Sequence, residues 1–287
     1  MATTSPTALK WWFAVAMRHL REIAGLERSD AARAIRGSVS AIAHIENGRS
    51  LPKPLELERL LTLYGVAHRI EAFLRLRERA RKGKDWFADG GQHDFPEDFG
   101  LFLGMESSAS QLEGWDANVV AGAFQTRRYA EATIRGAGPD LDEDEVRQRV
   151  DLRMARQRMI FEEGESPLVW RVMAATALEW QVGGKDVLRE QLLHLADLAD
   201  RPGIKIQVLP TTVGAHTGAE GTFTILSAPP ELEDYPGCVY AETLVKPYYY
   251  EELEQIRKYR NALTELRVKA TKPEKTPALF RQLAKDL

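Results

Sequence analysis

Three stretches carry side chains whose types and spacing could do chemistry. In "GAHTGAEGTF" (214–223), His216, Thr217 and Glu220 stand among three glycines between two strand-like runs. A histidine near a carboxylate can move a proton, and glycines let a ligand approach backbone amides. Glycines also serve tight turns with no ligand at all, and a turn with a structural histidine is the preferred reading. "KPYYYEE" (246–252) offers Tyr248 and Tyr249 to a pocket or an interface, although such aromatics are more often core residues with a wet hydroxyl. His216, Glu220, Tyr248 and Tyr249 are therefore kept as ligand or partner contacts. The chain has no G-x-S-x-G, P-loop or H-E-x-x-H and no cysteine pair, so no catalytic residue, metal ligand or cofactor is assigned and an enzyme is not expected.

The third stretch, "SVSAIAHIENGRSLPKP" (38–54), has a different chemistry. Val39, Ile42 and Ile45 face inward at steps of three, Ser38 can cap a helix start, and Asn47-Gly48 tolerates the left-handed backbone of a helix stop. The outward positions Ser38, Ser40, Ala41 and His44 are small or weakly polar, with Val39 at the margin, where it could touch a thymine methyl. A helix so slim can enter the DNA major groove, about 12 Å wide. Asn47, Arg49 and Lys53 follow where amides and cations can hold a phosphate. A core helix, or a helix-turn-helix used only for protein contacts, is the plainer alternative.

The surrounding elements place this helix. Leu9, Trp12, Phe13, Ala16, Leu20 and Ile23 predict a first helix stopped at Gly25, and Ser29 to Ile35 a second, short one. A turn at Arg36-Gly37 then leads into the third. Leu57, Leu60, Leu61 and Tyr64 mark a fourth, stopped at Gly65, and Arg69 to Lys82 a fifth. Two helices with a sharp turn between them form a helix-turn-helix unit.

Charge divides along the same line. Residues 1–84 carry 16 Lys+Arg against 8 Asp+Glu, and the remainder carries 23 against 34. A basic front end is attracted to polyphosphate and an acidic remainder is repelled by it, so the two parts face different partners. Length gives the same division, since 287 residues suit two cores. A boundary is placed in "GKDWFADGGQHDFPED" (83–98), with Trp86 and Phe87 as packing anchors. The expected organisation is a five-helix domain over 1–84, a connector over 85–98 and an α+β domain over 99–287.

In that second part "FGLFLGMESSASQLEGW" reads as helical, with a turn over Trp115 to Gly122 and a helix from Thr126 to Ile134. Asp142 and Glu145 form a capping pair at the start of another helix; the acidic cluster there reads as a solvated helix start and not as metal ligands. Four runs read as strands, 168–173, 204–210, 221–227 and 238–245. The helix Val187 to Leu198 between the first two makes them parallel neighbours. The last long helix is expected over Tyr250 to Ala270, before a polar tail. A sheet of about four strands is expected.

The single cysteine, Cys238, excludes an internal disulfide framework, points to a reducing compartment and reads as a small buried apolar residue. No apolar run reaches the ~20 residues of a membrane helix, and the first residues lack a leader pattern. The chain is expected in the cytoplasm, away from membranes.

The stretch "LREIAGL…AARAI…SVSAIAHIENGR", above all its I-x-x-I-E-N-G-R ending followed by a proline, resembles the XRE-type helix-turn-helix family, which includes the phage repressors and Cro proteins. The resemblance implies a phage-repressor-like fold and double-stranded DNA as partner. It also implies that Arg28 and Ser38 to Ala41 with His44 face DNA, and that Glu46 is structural. The chain departs from the family in having Glu27-Arg28 where Thr-Gln is usual, Arg36 where a glycine is usual, and Val39 where a glutamine is common.

"EGWDANVVAGAFQTRRYAEATIR", "VRQRVDLRMARQ", "LADRPGIKIQVLPTTVGAHTGAEGTFTIL" and "VYAETL" resemble the C-terminal domain of a set of actinobacterial XRE regulators described as antitoxin-like, often encoded beside a very small partner protein. That resemblance spans roughly residues 95 to 283 and implies regulation and partner binding. The pattern keeps Gly122, Gln125 and Thr126 but has Ala121, Ala123 and Phe124 where proline and leucines are usual. The resulting expectation is a homodimeric DNA-binding regulator controlled through its second domain by a small protein or a ligand. A sensor or enzyme merely tethered by its front end is the alternative.

Overall fold

The computed structural model describes residues 5–87, 97–162, 167–232 and 235–287. Five helices form the front end: α1 (Pro6–Ile23), α2 (Arg28–Ala34), α3 (Val39–Glu46), α4 (Pro54–Leu63) and α5 (Ile70–Arg81). Their ends follow local chemistry. Ser5 caps α1 and Ser38 caps α3, each accepting a backbone N–H three residues on. Gly48 and Gly65 close α3 and α4 in the left-handed conformation, as Gly25 does after α1. Ile23, assigned to the apolar face of α1, is 68% exposed because it lies in the last turn, beyond the packed length of the helix.

α1 is buried on nearly every side, since it packs on α3 and α5 and also on α6 (Glu97–Ser108). Gly104 of α6 permits this approach: a β carbon there would sit 2.9 Å from that of Ala8. Trp12 donates from Nε1 to Oγ of Ser108 at 3.2 Å. One apolar core therefore runs from the front helices into the second part of the chain. The connector begins as a tether, with Asp85 accepting from the backbone N–H and hydroxyl of Thr7 at 3.2 and 2.6 Å, and from the hydroxyl of Ser5. Trp86 and Phe87 meet edge to face; the rest of the expected connector, 88–96, lies outside the described residues.

The strands are β1 (Gln111–Asp116), β2 (Leu168–Ala174), β3 (Ile204–Leu209), β4 (Phe223–Leu226), β5 (Cys238–Glu242) and β6 (Pro247–Tyr250). They form a mixed six-stranded sheet in the order β3-β2-β1-β4-β5-β6, which corrects the expectation of about four. The two extra strands are β1 and β6. β1 was assigned to a helix and a turn, but α6 stops at Ser108 and β1 takes the centre of the sheet, parallel to β2 and antiparallel to β4. A strand covered on both faces loses the alternation that identifies strands, and β1 also buries two carboxylates, Glu113 and Asp116. β6 begins at a proline and is an edge strand, a position where a missing N–H is tolerated.

β2 and β3 are parallel and joined through α9 (Lys185–Ala199), as the spacing predicts. Around the sheet stand α7 (Arg127–Ala137), α8 (Glu143–Phe161), α10 (Leu253–Lys269) and α11 (Thr276–Asp286). α8 starts with the predicted capping pair: Asp142 Oδ1 accepts from the N–H of Glu145, and Glu145 Oε2 from that of Asp142, both at 2.8 Å. α10 starts only at Leu253 because Tyr250 belongs to β6.

Residues alternate strictly between the two faces. Leu112, Val169, Ile206 and Leu226 point into the large core shared with α1 and α9, while Trp115, Val172, Leu209 and Ile225 pack with Ile256, Leu263 and Leu266 of α10. Each face also buries an ion pair. On the first, Arg171 meets Asp116 and donates to Thr224 Oγ1 at 3.0 Å. On the second, Glu113 receives Arg260 at 2.9 Å and Arg267 at 2.7 Å from α10. Cys238 is fully buried, and burial pushes its thiol pKa well up.

Candidate nucleic-acid interface

α2 and α3 are held by a charged clasp. Glu46, in the last turn of α3, is 3% exposed and accepts from Arg21 of α1 at 2.5 Å and from Arg28 of α2 at 2.7 Å. Arg21 also donates to the carbonyl of Leu26 at 2.8 Å, so one guanidinium ties the end of α1 to the loop before α2. A buried carboxylate needs such partners because it has lost its water. The Glu46 hydrogen bond is the leading cause that holds the Arg21 pKa up, ahead of the opposing effect of burial. Glu46 thus takes the structural place the resemblance implied.

Within this frame Ile42 and Ile45 are buried and the opposite side of α3 is open. Ser38, Ser40 and His44 are exposed and Ala41 partly so; Val39, expected to face inward with Ile42 and Ile45, is 50% exposed because it is the first residue of the helix, ahead of its packed length. The side chains on the open side are short, so nothing bulky stands between the helix and a groove. Ser38 has a local duty as well, its hydroxyl accepting from the N–H of Ala41 at 3.1 Å. Asn47 and Arg49 are exposed just past the helix, and Lys53 is exposed at the start of α4, where its backbone N–H donates to Glu56 at 2.8 Å. Ser38 to Ala41 and His44 thus stand at least partly exposed on α3, and Asn47 and Arg49 exposed directly after it.

Arg28 is placed differently. Its Nε is engaged by Glu46, although the side chain keeps 41% exposure. Arg36 was not assigned a role, yet it occupies the turn immediately before α3, is exposed, and forms no ion pair among the described residues. It is also the one non-glycine with positive φ among them, at 54°. The signal in the sequence was the arginine at a turn position where a glycine is usual.

The residues kept as ligand contacts fall into two places. His216 Nδ1 accepts from the N–H of Gly218 at 3.1 Å, and its ring meets Trp115 edge to face at 5.2 Å. It therefore shapes the turn before β4. Glu220 is exposed in the same turn. Tyr248 and Tyr249 lie on β6: Lys246 stands over the Tyr248 ring at 5.1 Å, and Tyr249 packs against Tyr240 at 5.3 Å. Among the described residues no cluster of three or more His, Cys, Asp or Glu side chains could hold a metal, and no helix is long and apolar enough to cross a membrane.

Comparison with known families matches two separate stretches of the chain. Residues 12–74 match a family described as a helix-turn-helix domain, a stretch that runs from within α1 to the first turn of α5. Residues 99–282 match a family described as a domain of unknown function, DUF5753, which takes in the sheet and the helices around it. No curated protein and no solved structure matches the chain.

Proposed function

Because the chain belongs to the DUF5753 family and carries a helix-turn-helix domain ahead of that region, we propose that it is a DNA-binding transcriptional regulator of the XRE, antitoxin-like kind. It reads the major groove as a homodimer, with two copies of α3 about 34 Å apart in successive grooves. Its second part receives the controlling signal, from a small protein encoded nearby or from a ligand.

The observation that carries this reading is the open side of α3. Among the described residues the side of α3 lined by Ser38, Val39, Ser40 and His44 is open, and Arg36, Arg49 and Lys53 add exposed cations on or next to it. The cations position the domain by phosphate contacts, which carry no sequence information, and His44 and Ser40 read base edges. The shared core between α1 and the second part supplies a route for the signal, since α1 touches both α3 and α6.

Titration of the full chain with labelled duplexes from its own promoter tests the reading. Association at low ionic strength that weakens steeply with salt is expected. His44→Ala should change the preference among operator variants more than the affinity for random DNA. Absence of association at low ionic strength overturns the proposal.

A further inference from the structure

The two edges of the sheet are treated differently. At β3 the chain covers its own edge: Thr271, just past α10, donates its N–H to the carbonyl of Val208 and accepts the N–H of Val208 on its hydroxyl, both at 2.9 Å. β6, at the other end, pairs with β5 alone among the described residues. Thr243 donates to the carbonyl of Lys246 at 3.3 Å and Ala241 stands opposite Tyr248, so the alternation of an antiparallel ladder turns the backbone of Pro247 away from β5. The proline therefore sits where its missing N–H takes nothing from the sheet.

Exposed side chains flank this edge. Leu244 and Val245, in the turn before β6, are 103% and 90% exposed, and Leu253, just past it, is 45% exposed. Lys246 and Glu252 are exposed as well, and neither forms an ion pair among the described residues, whereas Glu251 and Glu254 to either side of Glu252 hold Arg18 at 2.8 Å and Lys258 at 3.1 Å. The run "VKPYYYEEL" (245–253) matches itself when laid antiparallel: Val245 falls opposite Leu253, Lys246 opposite Glu252 and Tyr248 opposite Tyr250. Lysine and proline ordinarily blunt an edge against pairing. Here the lysine meets its opposite charge in an identical strand.

We infer that β6 is the surface through which two copies of this chain associate, antiparallel, in the register that sets Lys246 opposite Glu252 of the second copy and Val245 opposite its Leu253. Cross-strand pairs of opposite charge and of aromatic residues stabilise such a ladder, and the two-fold symmetry makes each of them twice. The symmetry axis stands perpendicular to the joined sheet, so the face packed in the core with α1 looks the same way in both copies. Arg18 of α1 grips Glu251 next to β6, and Tyr235, which meets Trp12 and His19 of α1 edge to face, donates its hydroxyl to the Glu251 carbonyl at 3.3 Å. The pairing thus turns both front ends to one side of the sheet, as contact with a single duplex requires. The assignment supplies the surface for the homodimer proposed above and rests on that reading only for the use the dimer makes of DNA.

Sedimentation equilibrium of the full chain without DNA, from about 1 to 100 µM, tests it. The native sequence should dimerise in this range. Lys246→Glu and Glu252→Lys each place two pairs of like charges across the axis, and each should raise the dimer Kd about tenfold at low salt. The double variant restores opposite charges and should return the Kd to within about threefold of the native value. Both side chains are exposed, so circular dichroism should show the native fold throughout. A chain that stays monomeric leaves the edge to a strand of another protein and overturns the proposal. A dimer indifferent to the single reversals, or not recovered by the double one, forms elsewhere and also overturns it. Because no DNA is present, each result stands apart from the promoter titration.

Discussion

Arg28 at the start of α2 donates from Nε to Oε2 of Glu46 at 2.7 Å, joining Arg21 on a carboxylate buried at the end of α3. A side chain whose place in the helix-turn-helix pattern assigns it to DNA is therefore also part of the clasp that sets the angle between the two helices. The two roles separate by measurement.

Glu46→Ala leaves the buried Arg21 guanidinium, 8% exposed, with only the exposed carboxylate of Glu22 at 3.2 Å and should lower stability by about 3 kcal/mol. Arg28→Ala removes a partner that is 41% exposed and should cost about 1 kcal/mol or less. Urea unfolding of both variants checks the ranking. In DNA titrations Arg28→Ala should change the salt slope by well under the roughly 0.9 that one lost phosphate contact gives. A full step would put Arg28 on the backbone of DNA.

Arg36 adopts φ 54°, a conformation that is unfavourable for any residue with a β carbon. Arg36→Gly relieves that strain, partly offset by a freer unfolded chain, and should raise stability by up to about 1 kcal/mol while weakening DNA binding through the lost cation. Thermal unfolding and titration of the same sample read both effects. A fall in Tm would mean that the arginine side chain holds the turn.

Gly104 sets the contact between α1 and α6. Gly104→Val should destabilise the chain by about 1–3 kcal/mol, since the β carbons of Ser5 and Ala8 stand 2.7 and 2.9 Å from the position of the added one. Adding Ala8→Gly should recover part of the loss, and a double-mutant cycle measures the recovery. Strict additivity would show that the helices do not meet there.

His194 on α9 is half-buried, and burial lowers its pKa below the ordinary 6.5, with Arg201 acting in the same direction. Among the described residues its buried Nε2 finds no hydrogen-bond partner. Below pH 6.5 the unfolded chain takes up a proton that the folded one resists, so stability should fall as pH drops from 6.5 toward the lower folded pKa. His19, lowered in the same way, adds to the trend. His194→Gln should flatten the dependence of Tm on pH in this window, and an unchanged curve would assign it to other groups.

The front helices were legible because their signals are local. Apolar steps of three and four, serines at helix starts and glycines at the stops describe α1 to α4 without reference to the rest of the chain. The open side of α3 was legible for the same reason, since small and polar residues alternate with Ile42 and Ile45 at helical spacing. The parallel pair β2 and β3 also followed, because a crossover helix of the right length lies between them.

β1 was not legible, since Glu113 and Asp116 belong on a surface unless their partners are known. Those partners lie far along the chain: Arg171 is 55 residues from Asp116, and Arg267 is 154 residues from Glu113. The sequence by itself determined the helices of the front end and most of the open side of α3, because backbone capping and side-chain period act over a few residues. Only the tertiary structure decided which charges are buried in pairs and that Arg28 belongs partly to Glu46. Pairing of that kind depends on which distant side chains share the same water-poor space.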